Sequence, residues 1–219
     1  MNILVVTGSV STSIDSVRKI TNTATGRTGK LIAETAAMRG HHGVLLTSTL
    51  PSTRIFNWQI IHFIDFTELL EKIKYLLFNF HFDAIVMAAA ICDYLVAGIS
   101  PEKNQVHQIS QGKISGHLPE LWIRLIPAPR LTDLIRSSWG FSGQLITFKL
   151  ESSISTHELI SRAEKSRIRS GSNFVVANHL ETAEVEAWFG PNLKGIYNRL
   201  ERQNLPSVLL DALEIGVIN

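Results

Sequence analysis

The sequence predicts an α/β protein with a mostly parallel sheet, a Rossmann-like three-layer fold, on three observations. Ile3-Leu4-Val5-Val6 is an unbroken run of β-branched and leucine residues ending at Thr7-Gly8-Ser9, the pattern of a strand buried on both faces of a parallel sheet. Helix-periodic stretches then alternate with further short apolar runs along the chain. Finally, 45% apolar and 18% charged side chains over 219 residues are enough to bury one sizeable core, so a single domain over 1–219 is expected.

The elements follow in order. After the first strand comes a Ser/Thr-rich loop to Gly29, then a helix over Lys30–Arg39 with Leu31, Ile32, Ala36 and Met38 at helical spacing and Gly40 as its stop. Gly43–Thr47 reads as a second strand and Ile60–Ile64 as a third, separated by the Pro51-Ser52-Thr53 break. Asp65–Asn79 carries Leu69, Leu70, Ile73, Leu76 and Leu77 on one stripe and leads into an apolar strand over Ala84–Ala90. Beyond it, Leu131–Ser138 reads as helix, Leu145–Phe148 as strand, Thr156–Arg169 as helix and Phe174–Ala177 as strand. The intervening section, Asp93–Pro129, is too long for an ordinary loop and is expected to be a lid or a dimerisation arm. Gln105–Ile109 and Leu121–Leu125 alternate well enough to pair within it.

Ligands of such sheets sit beyond the carboxyl ends of the strands. That draws Thr7–Gly29, Ala88–Asp93, Phe148–Glu151 and Ala177-Asn178 toward one crevice. Gly26-Arg27-Thr28-Gly29, just before a helix, combines backbone amides, hydroxyls and a guanidinium that favour a phosphate or carboxylate, although a merely capped helix fits the same residues. No Walker loop is present, and Gly8-Ser9-Val10-Ser11-Thr12-Ser13 lacks the glycines of a dinucleotide fingerprint.

Charge and composition narrow the partners. Lys and Arg number 21 against 19 Asp and Glu, too even a balance for a nucleic-acid partner on charge alone. The sole cysteine, Cys92, can form neither an internal disulfide nor a cysteine-built zinc site and reads as a small buried hydrophobe; the eight histidines show no metal spacing. No basic leader precedes the first strand, and the longest apolar run, Ala84–Cys92, falls well short of the roughly 20 residues that span a bilayer, so a cytoplasmic protein with no membrane partner is expected.

Several segments together carry a resemblance. Thr7-Gly8-Ser9, Ile14-Asp15-Ser16-Val17-Arg18-Lys19-Ile20-Thr21-Asn22, Gly26-Arg27-Thr28-Gly29, Arg39-Gly40-His41, Ala88–Tyr94, Gly112-Lys113-Ile114-Ser115, Phe148–Ser152 and Phe174–Asn178 resemble, in order, motifs of the phosphopantothenate-cysteine ligase family. Residues after 178 match that pattern poorly. The resemblance implies a reaction in two halves: the carboxylate of 4′-phosphopantothenate attacks the α-phosphate of CTP or ATP, and the cysteine amine then attacks the acyl nucleotide. It implies Asn22 and Lys113 as catalytic residues, Asn22 holding the acyl nucleotide and Lys113 meeting charge at the phosphate. Gly8, Ser9, Gly26, Arg27, Ala89, Asp93, Phe148 and Asn178 are implied as nucleotide-binding, with Mg²⁺ accompanying the nucleotide and a homodimer as the assembly. No protein metal ligand is assigned.

Departures from the family pattern are specific. Gly8-Ser9-Val10 stands for G-G-T, Thr12 for a glutamate, Ala24-Thr25-Gly26 for S-S-G, and Lys113-Ile114-Ser115-Gly116 for K-I-K-K. Taken alone, Asp93 also reads as a strand cap, Lys113 as a solvated loop lysine and Phe148 as core. The reading is therefore a standalone ligase, with two alternatives: a nucleotide-binding paralogue of the same fold with weak or no ligase activity, and an NAD(P)-dependent reductase.

Overall fold

Residues 1–49, 54–102 and 112–217 are described by a computed structural model. The chain runs β1 (Asn2–Thr7), β2 (Ser11–Ser13), β3 (Lys19–Thr21), α1 (Arg27–Met38), β4 (His42–Thr47), β5 (Trp58–His62), α2 (Phe66–Asn79) and β6 (Ala84–Met87). It continues as β7 (Tyr94–Ser100), β8 (Trp122–Pro127), α3 (Leu131–Ser137), β9 (Gln144–Glu151), α4 (Thr156–Ser170), β10 (Phe174–His179), β11 (Glu186–Gly190) and β12 (Asn198–Glu201). A single 3-10 turn at Arg202–Asn204 then opens α5 (Leu205–Val217).

Eight strands form the main sheet in the order β12-β11-β10-β9-β6-β1-β4-β5. From β10 to β5 every pairing is parallel; β11 and β12 extend the sheet antiparallel. The mostly parallel α/β architecture expected from the sequence is the one found. Alternate residues of β1 divide between two cores. Ile3 and Val5 pack with Ile32, Ala33 and Ala36 of α1 and Leu205, Leu209 and Leu213 of α5. Leu4 and Val6 pack with Phe66, Leu69, Ile73 and Leu76 of α2 and Leu131 and Ile135 of α3. That two-sided burial is why β1 reads as a continuous apolar run rather than an alternating one.

Helix boundaries follow local chemistry. Asp65 caps α2 by accepting from the Glu68 N–H at 3.0 Å, Ser155 caps α4 by accepting from the Glu158 N–H at 3.2 Å, and Gly171 ends α4 at φ 65°. Helix α1 begins three residues earlier than expected, so Arg27, Thr28 and Gly29 belong to its first turn. Gly29 is there for closeness: a Cβ at this position would lie 2.3 Å from the Cβ of Thr7 on β1. Gly29→Ala is accordingly expected to destabilise the fold by about 1–3 kcal/mol in chemical denaturation, overpacking outweighing alanine's better helix propensity.

Other boundaries moved as well. The third strand spans Trp58–His62 rather than Ile60–Ile64: Trp58 is buried and donates its Nε1–H to the His41 carbonyl at 3.1 Å, whereas Ile64 lies exposed past the strand end. The strand expected to reach Ala90 ends at Met87. Within the long section, Leu121–Leu125 falls largely in β8, but its partner is β7, Tyr94–Ser100, and not Gln105–Ile109, which lies outside the described residues. The Ser/Thr-rich loop contains the short β2–β3 hairpin.

The residues after 178 build part of the core. Leu205, Leu209, Leu210 and Leu213 of α5 are fully buried, and each such side chain contributes about 1.5–3 kcal/mol of transfer free energy. The Arg39-Gly40-His41 segment holds this helix: Arg39 Nη1 meets Asp211 at 2.7 Å and Glu214 at 3.2 Å, and His41 Nε2 meets Glu214 at 2.9 Å. The R-G-H segment thus works as a clamp on α5.

Candidate functional site

From β1 the chain passes to β4 and β5 on one side, then crosses to β6, β9 and β10 on the other. The strand order reverses between β1 and β6, and the crevice of such a sheet opens at that reversal, beyond the carboxyl ends of the two strands. A shallow groove lined by Asn2, His42, Trp58, Phe80 and Phe82 lies at the opposite, amino ends.

Two glycines shape the floor of the carboxyl edge. Gly8 has φ 95°, and a Cβ there would meet the Ser48 Oγ at 2.2 Å; Gly26 has φ 77°, and a Cβ there would lie 3.2 Å from the Gly8 Cα. The start of α1 therefore sits directly on the turn after β1, and the Thr7 hydroxyl donates to the Gly26 carbonyl at 3.0 Å to hold it. Helix α1 has no side-chain cap and no acidic residue in its first turn, and Arg27 is exposed beside it without an ion pair among the described residues. Ser9 pairs with Ala90 as an isolated parallel bridge, so the loops after β1 and β6 stay joined past the strand ends.

Asn22 joins the same pair of loops. The Ala90 carbonyl accepts from the Val10 N–H at 3.0 Å and from Asn22 Nδ2 at 2.9 Å. Asn22 is exposed, and with its amide nitrogen committed its Oδ1 has no partner among the described residues. Asn22 and Ala88–Asp93, expected together from sequence, are brought together. Ala89 packs partly buried at the rim of the α2 core, while Asp93 is exposed and its carbonyl accepts from the Ala128 N–H at 2.8 Å, closing the base of the β7–β8 arm. Thr12, where the family pattern has glutamate, accepts from the Val96 N–H at 3.0 Å and anchors the arm to the β2–β3 hairpin.

Lys113 is held by residues to which the sequence reading gave no role. The fully buried Asp15 carboxylate accepts from the Val17 N–H at 2.8 Å and the Arg18 N–H at 2.7 Å, and from Arg18 Nε at 3.0 Å and Nη2 at 2.6 Å. It also accepts from the Ile114 N–H at 3.0 Å, while Arg18 Nη2 donates to the Ile114 carbonyl at 2.9 Å. Arg18 above all, then the Ile114 and other backbone N–H groups, hold the Asp15 carboxyl far below the usual carboxylate range against the opposing effect of burial. Both polar groups of the Ile114 backbone are thus pinned beside Lys113, whose side chain is exposed and has no ion pair among the described residues.

On the far side of the crevice, Phe148 of β9 is partly buried against the α1–α5 core, so its core reading is the one found. Lys149 and Arg162 both pair with Glu151, at 2.8 and 2.7 Å, and Lys149 is the main cause of its lowered carboxyl pKa. Asn178, on β10, is buried; its Oδ1 accepts from Arg202 Nη1 at 2.8 Å, and Arg202 Nη2 donates to the Thr28 hydroxyl at 2.6 Å. Burial lowers the Arg202 pKa. Burial also pushes the Cys92 thiol up, which keeps it from acting as a thiolate at neutral pH. Among the described residues no group of three or more His, Cys, Asp or Glu side chains could hold a metal ion, and no helix is long and apolar enough to cross a membrane.

An open, mostly parallel sheet with a strand-order reversal, flanked by a helix start free of acidic groups, defines a Rossmann-like α/β protein. The chain belongs to the family described as the DNA/pantothenate metabolism flavoprotein C-terminal domain, whose model matches residues 1–194. It is 36% identical over 179 residues to the coenzyme A biosynthesis bifunctional protein CoaBC of Thermococcus kodakarensis, covering 82% of this chain and 41% of that protein. The chain spans less than half the length of this and the other curated relatives it matches. In structure it is similar to the DNA/pantothenate metabolism flavoprotein of Streptococcus pneumoniae, with a TM-score of 0.87 and 26% identity over 99% of both chains. It also shares its fold with a Cab2 variant solved with phosphopantothenate-cysteine: TM-score 0.72, 18% identity, over 99% of this chain and 88% of that one.

Proposed function

We propose that the chain joins 4′-phosphopantothenate to cysteine through an acyl-nucleotide intermediate, a step of coenzyme A biosynthesis. The observation that carries this reading is membership of this family, supported by the hydrogen bond that ties Asn22 to the Ala90 carbonyl in the loop after β6. The relative solved with phosphopantothenate-cysteine and the CoaBC relatives point to the same chemistry. The absent dinucleotide fingerprint speaks against the reductase alternative.

In the first half-reaction a carboxylate oxygen bonds to the α-phosphorus and pyrophosphate leaves. In the second, the cysteine nitrogen bonds to the acyl carbon, the nucleoside monophosphate leaves with the bridging oxygen, and the nitrogen sheds a proton. Both halves need two anions held together and growing charge neutralised, not a protein nucleophile. Lys113 supplies charge at the reacting phosphate; Gly8, Ser9, Gly26, Arg27 and the amides opening α1 face phosphates. Asn22, with its nitrogen fixed on Ala90, offers Oδ1 as an acceptor to the acyl intermediate or the incoming amine. Ala89, Asp93, Phe148 and Asn178 line the nucleotide. Mg²⁺ bound to the nucleotide would neutralise phosphate charge; such an ion needs only one or two protein carboxylates, a requirement the exposed Asp93 fits.

A coupled assay with purified protein, 4′-phosphopantothenate, cysteine and either CTP or ATP tests the reading. Pyrophosphate together with the cysteine adduct is the expected result; nucleotide binding without product would instead favour the inactive paralogue. CTP is expected to be preferred, because the crevice offers mostly backbone groups at Ala88–Asp93 and beyond Lys149 to read a small base edge, and these survive side-chain divergence. Equal or greater specificity for ATP at matched concentrations and saturating magnesium would show that this base placement is wrong.

The arm over 93–129 is proposed to pair with its counterpart in a homodimer. Tyr94, Trp122, Leu125 and Ile126 of β7 and β8 are exposed, large apolar groups on the two faces of the arm that symmetric pairing would cover in part. Light scattering is expected to give twice the chain mass at micromolar concentration; a concentration-independent monomer mass would rule the arrangement out.

A further inference from the structure

Arg202 lies beyond the family-matched residues 1–194, where β12 turns into α5, and its backbone N–H donates to the Val185 carbonyl at 2.8 Å. Its guanidinium is half-buried and makes no ion pair among the described residues, although the nearby Glu184 carboxylate favours its charge without touching it. Instead it bridges two neutral acceptors from elements far apart in the chain, Asn178 Oδ1 on β10 and Thr28 Oγ1 in the first turn of α1. Desolvating a cation merely to join two neutral groups is an expensive solution to a structural problem, since a glutamine or a water molecule could join them more cheaply. The fork does something a neutral group would not: it fixes which way the Asn178 amide faces. A guanidinium only donates, so the atom it meets must be Oδ1, and Nδ2 is turned elsewhere. Among the described residues Nδ2 has one marginal contact, 3.5 Å to the Val176 carbonyl, although Asn178 is 5% exposed. Asn178 is thereby presented as a donor at the carboxyl edge.

We propose that Arg202 is a positioning residue of the nucleotide site: it locks the Asn178 amide with Nδ2 as a donor toward an acceptor atom of the bound nucleotide, and ties the first turn of α1 to the same guanidinium. The inference rests on the ligase reading for the identity of the nucleotide, but it is read out by binding and not by turnover. The segment that closes the sheet after residue 194 is then a working part of the site as well as core.

The test is calorimetric titration of CTP and ATP, with magnesium, into the full chain and into Arg202→Gln, Asn178→Ala and Asn178→Asp, alongside the coupled assay on the unmodified protein. Arg202→Gln and Asn178→Ala are each expected to weaken nucleotide binding about tenfold to a hundredfold, the range for a lost charge-linked hydrogen bond, with the double variant no weaker than the worse single one. Asn178→Asp is the discriminating variant. It strengthens the link to Arg202 but removes the donor and adds a negative charge, so it is expected to raise the thermal midpoint and lose more nucleotide affinity than the uncharged Asn178→Ala, whose own loss isolates the donor. Wild-type affinity in Asn178→Asp or in Arg202→Gln would overturn the proposal, as would absence of nucleotide binding by the unmodified protein. Should Arg202→Gln fail to fold, the two Asn178 variants decide alone. Intact nucleotide binding with no product would sink the ligase reading and leave this inference standing.

Discussion

Lys113→Gln is expected to lower turnover by about 10² to 10³, the usual loss when one preorganised electrostatic contact to a developing charge is removed. The side chain is exposed, and no carboxylate among the described residues pairs with it. Glutamine keeps much of its length and polarity and removes only the charge. Circular dichroism and the thermal midpoint should stay at wild-type values, because an exposed lysine without an ion pair contributes little to stability. Asn22→Asp is expected to fall in the same range for a different reason: the nitrogen that donates to Ala90 becomes an oxygen facing a carbonyl oxygen, and a negative charge enters a site for anions. A near-normal rate in Lys113→Gln would remove that lysine from the mechanism.

What the sequence made legible was local. The run Ile3–Val6, the stripe Leu69–Ile73–Leu76 and the strand Phe174–Ala177 each carry their own period, and each stands where it was read. The β2–β3 hairpin is not legible, because its three-residue strands, Ser-Thr-Ser and Lys-Ile-Thr, are too short and too polar to show an alternation. Strand β7 was hidden by Gly98 and by the bulge between Val96 and Gly98, which break the side-chain alternation. In α5 the leucines at 205, 209, 210 and 213 do have helical spacing, a signal present in the sequence and left unread because that segment resembled nothing.

The site divides along the same line. Which residue types belong there was carried by resemblance, and the fold brings Asn22 and the Ala88–Asp93 loop together as expected. What holds them was not legible. Asp15 and Ile114 are 99 residues apart, and Arg202 and Thr28 are 174 apart. No window of sequence contains both halves of either contact. Arginines and aspartates in polar loops read as solvated until the fold supplies the partner.

The Asp15 clamp leads to the other large effect. In Asp15→Asn one oxygen can still accept, but the new NH₂ must replace either the oxygen that accepts from the Val17 and Arg18 N–H groups or the one that accepts from the Arg18 guanidinium and the Ile114 N–H, donor against donor in both cases at a fully buried side chain. Either mismatch loosens the turn over 15–18 that grips the Ile114 backbone, and Lys113 with it. Since about an ångström of misplacement costs roughly 10² in rate, kcat is expected to fall by about that factor. If the loss runs through Lys113, the double variant with Lys113→Gln should be scarcely slower than Lys113→Gln alone. Acid supplies an independent check. The folded-state pKa of Asp15 is depressed, so its contribution to stability is complete above the unfolded carboxyl value of about 3.9 and is lost as pH falls through the lower folded value. In urea titrations the stability gap between wild type and Asp15→Asn should therefore be constant from pH 5 to 7 and narrow below about pH 3.9. Additive losses in the double variant, or a gap that does not change with acid, would mean that Asp15 is not what holds Lys113 in place.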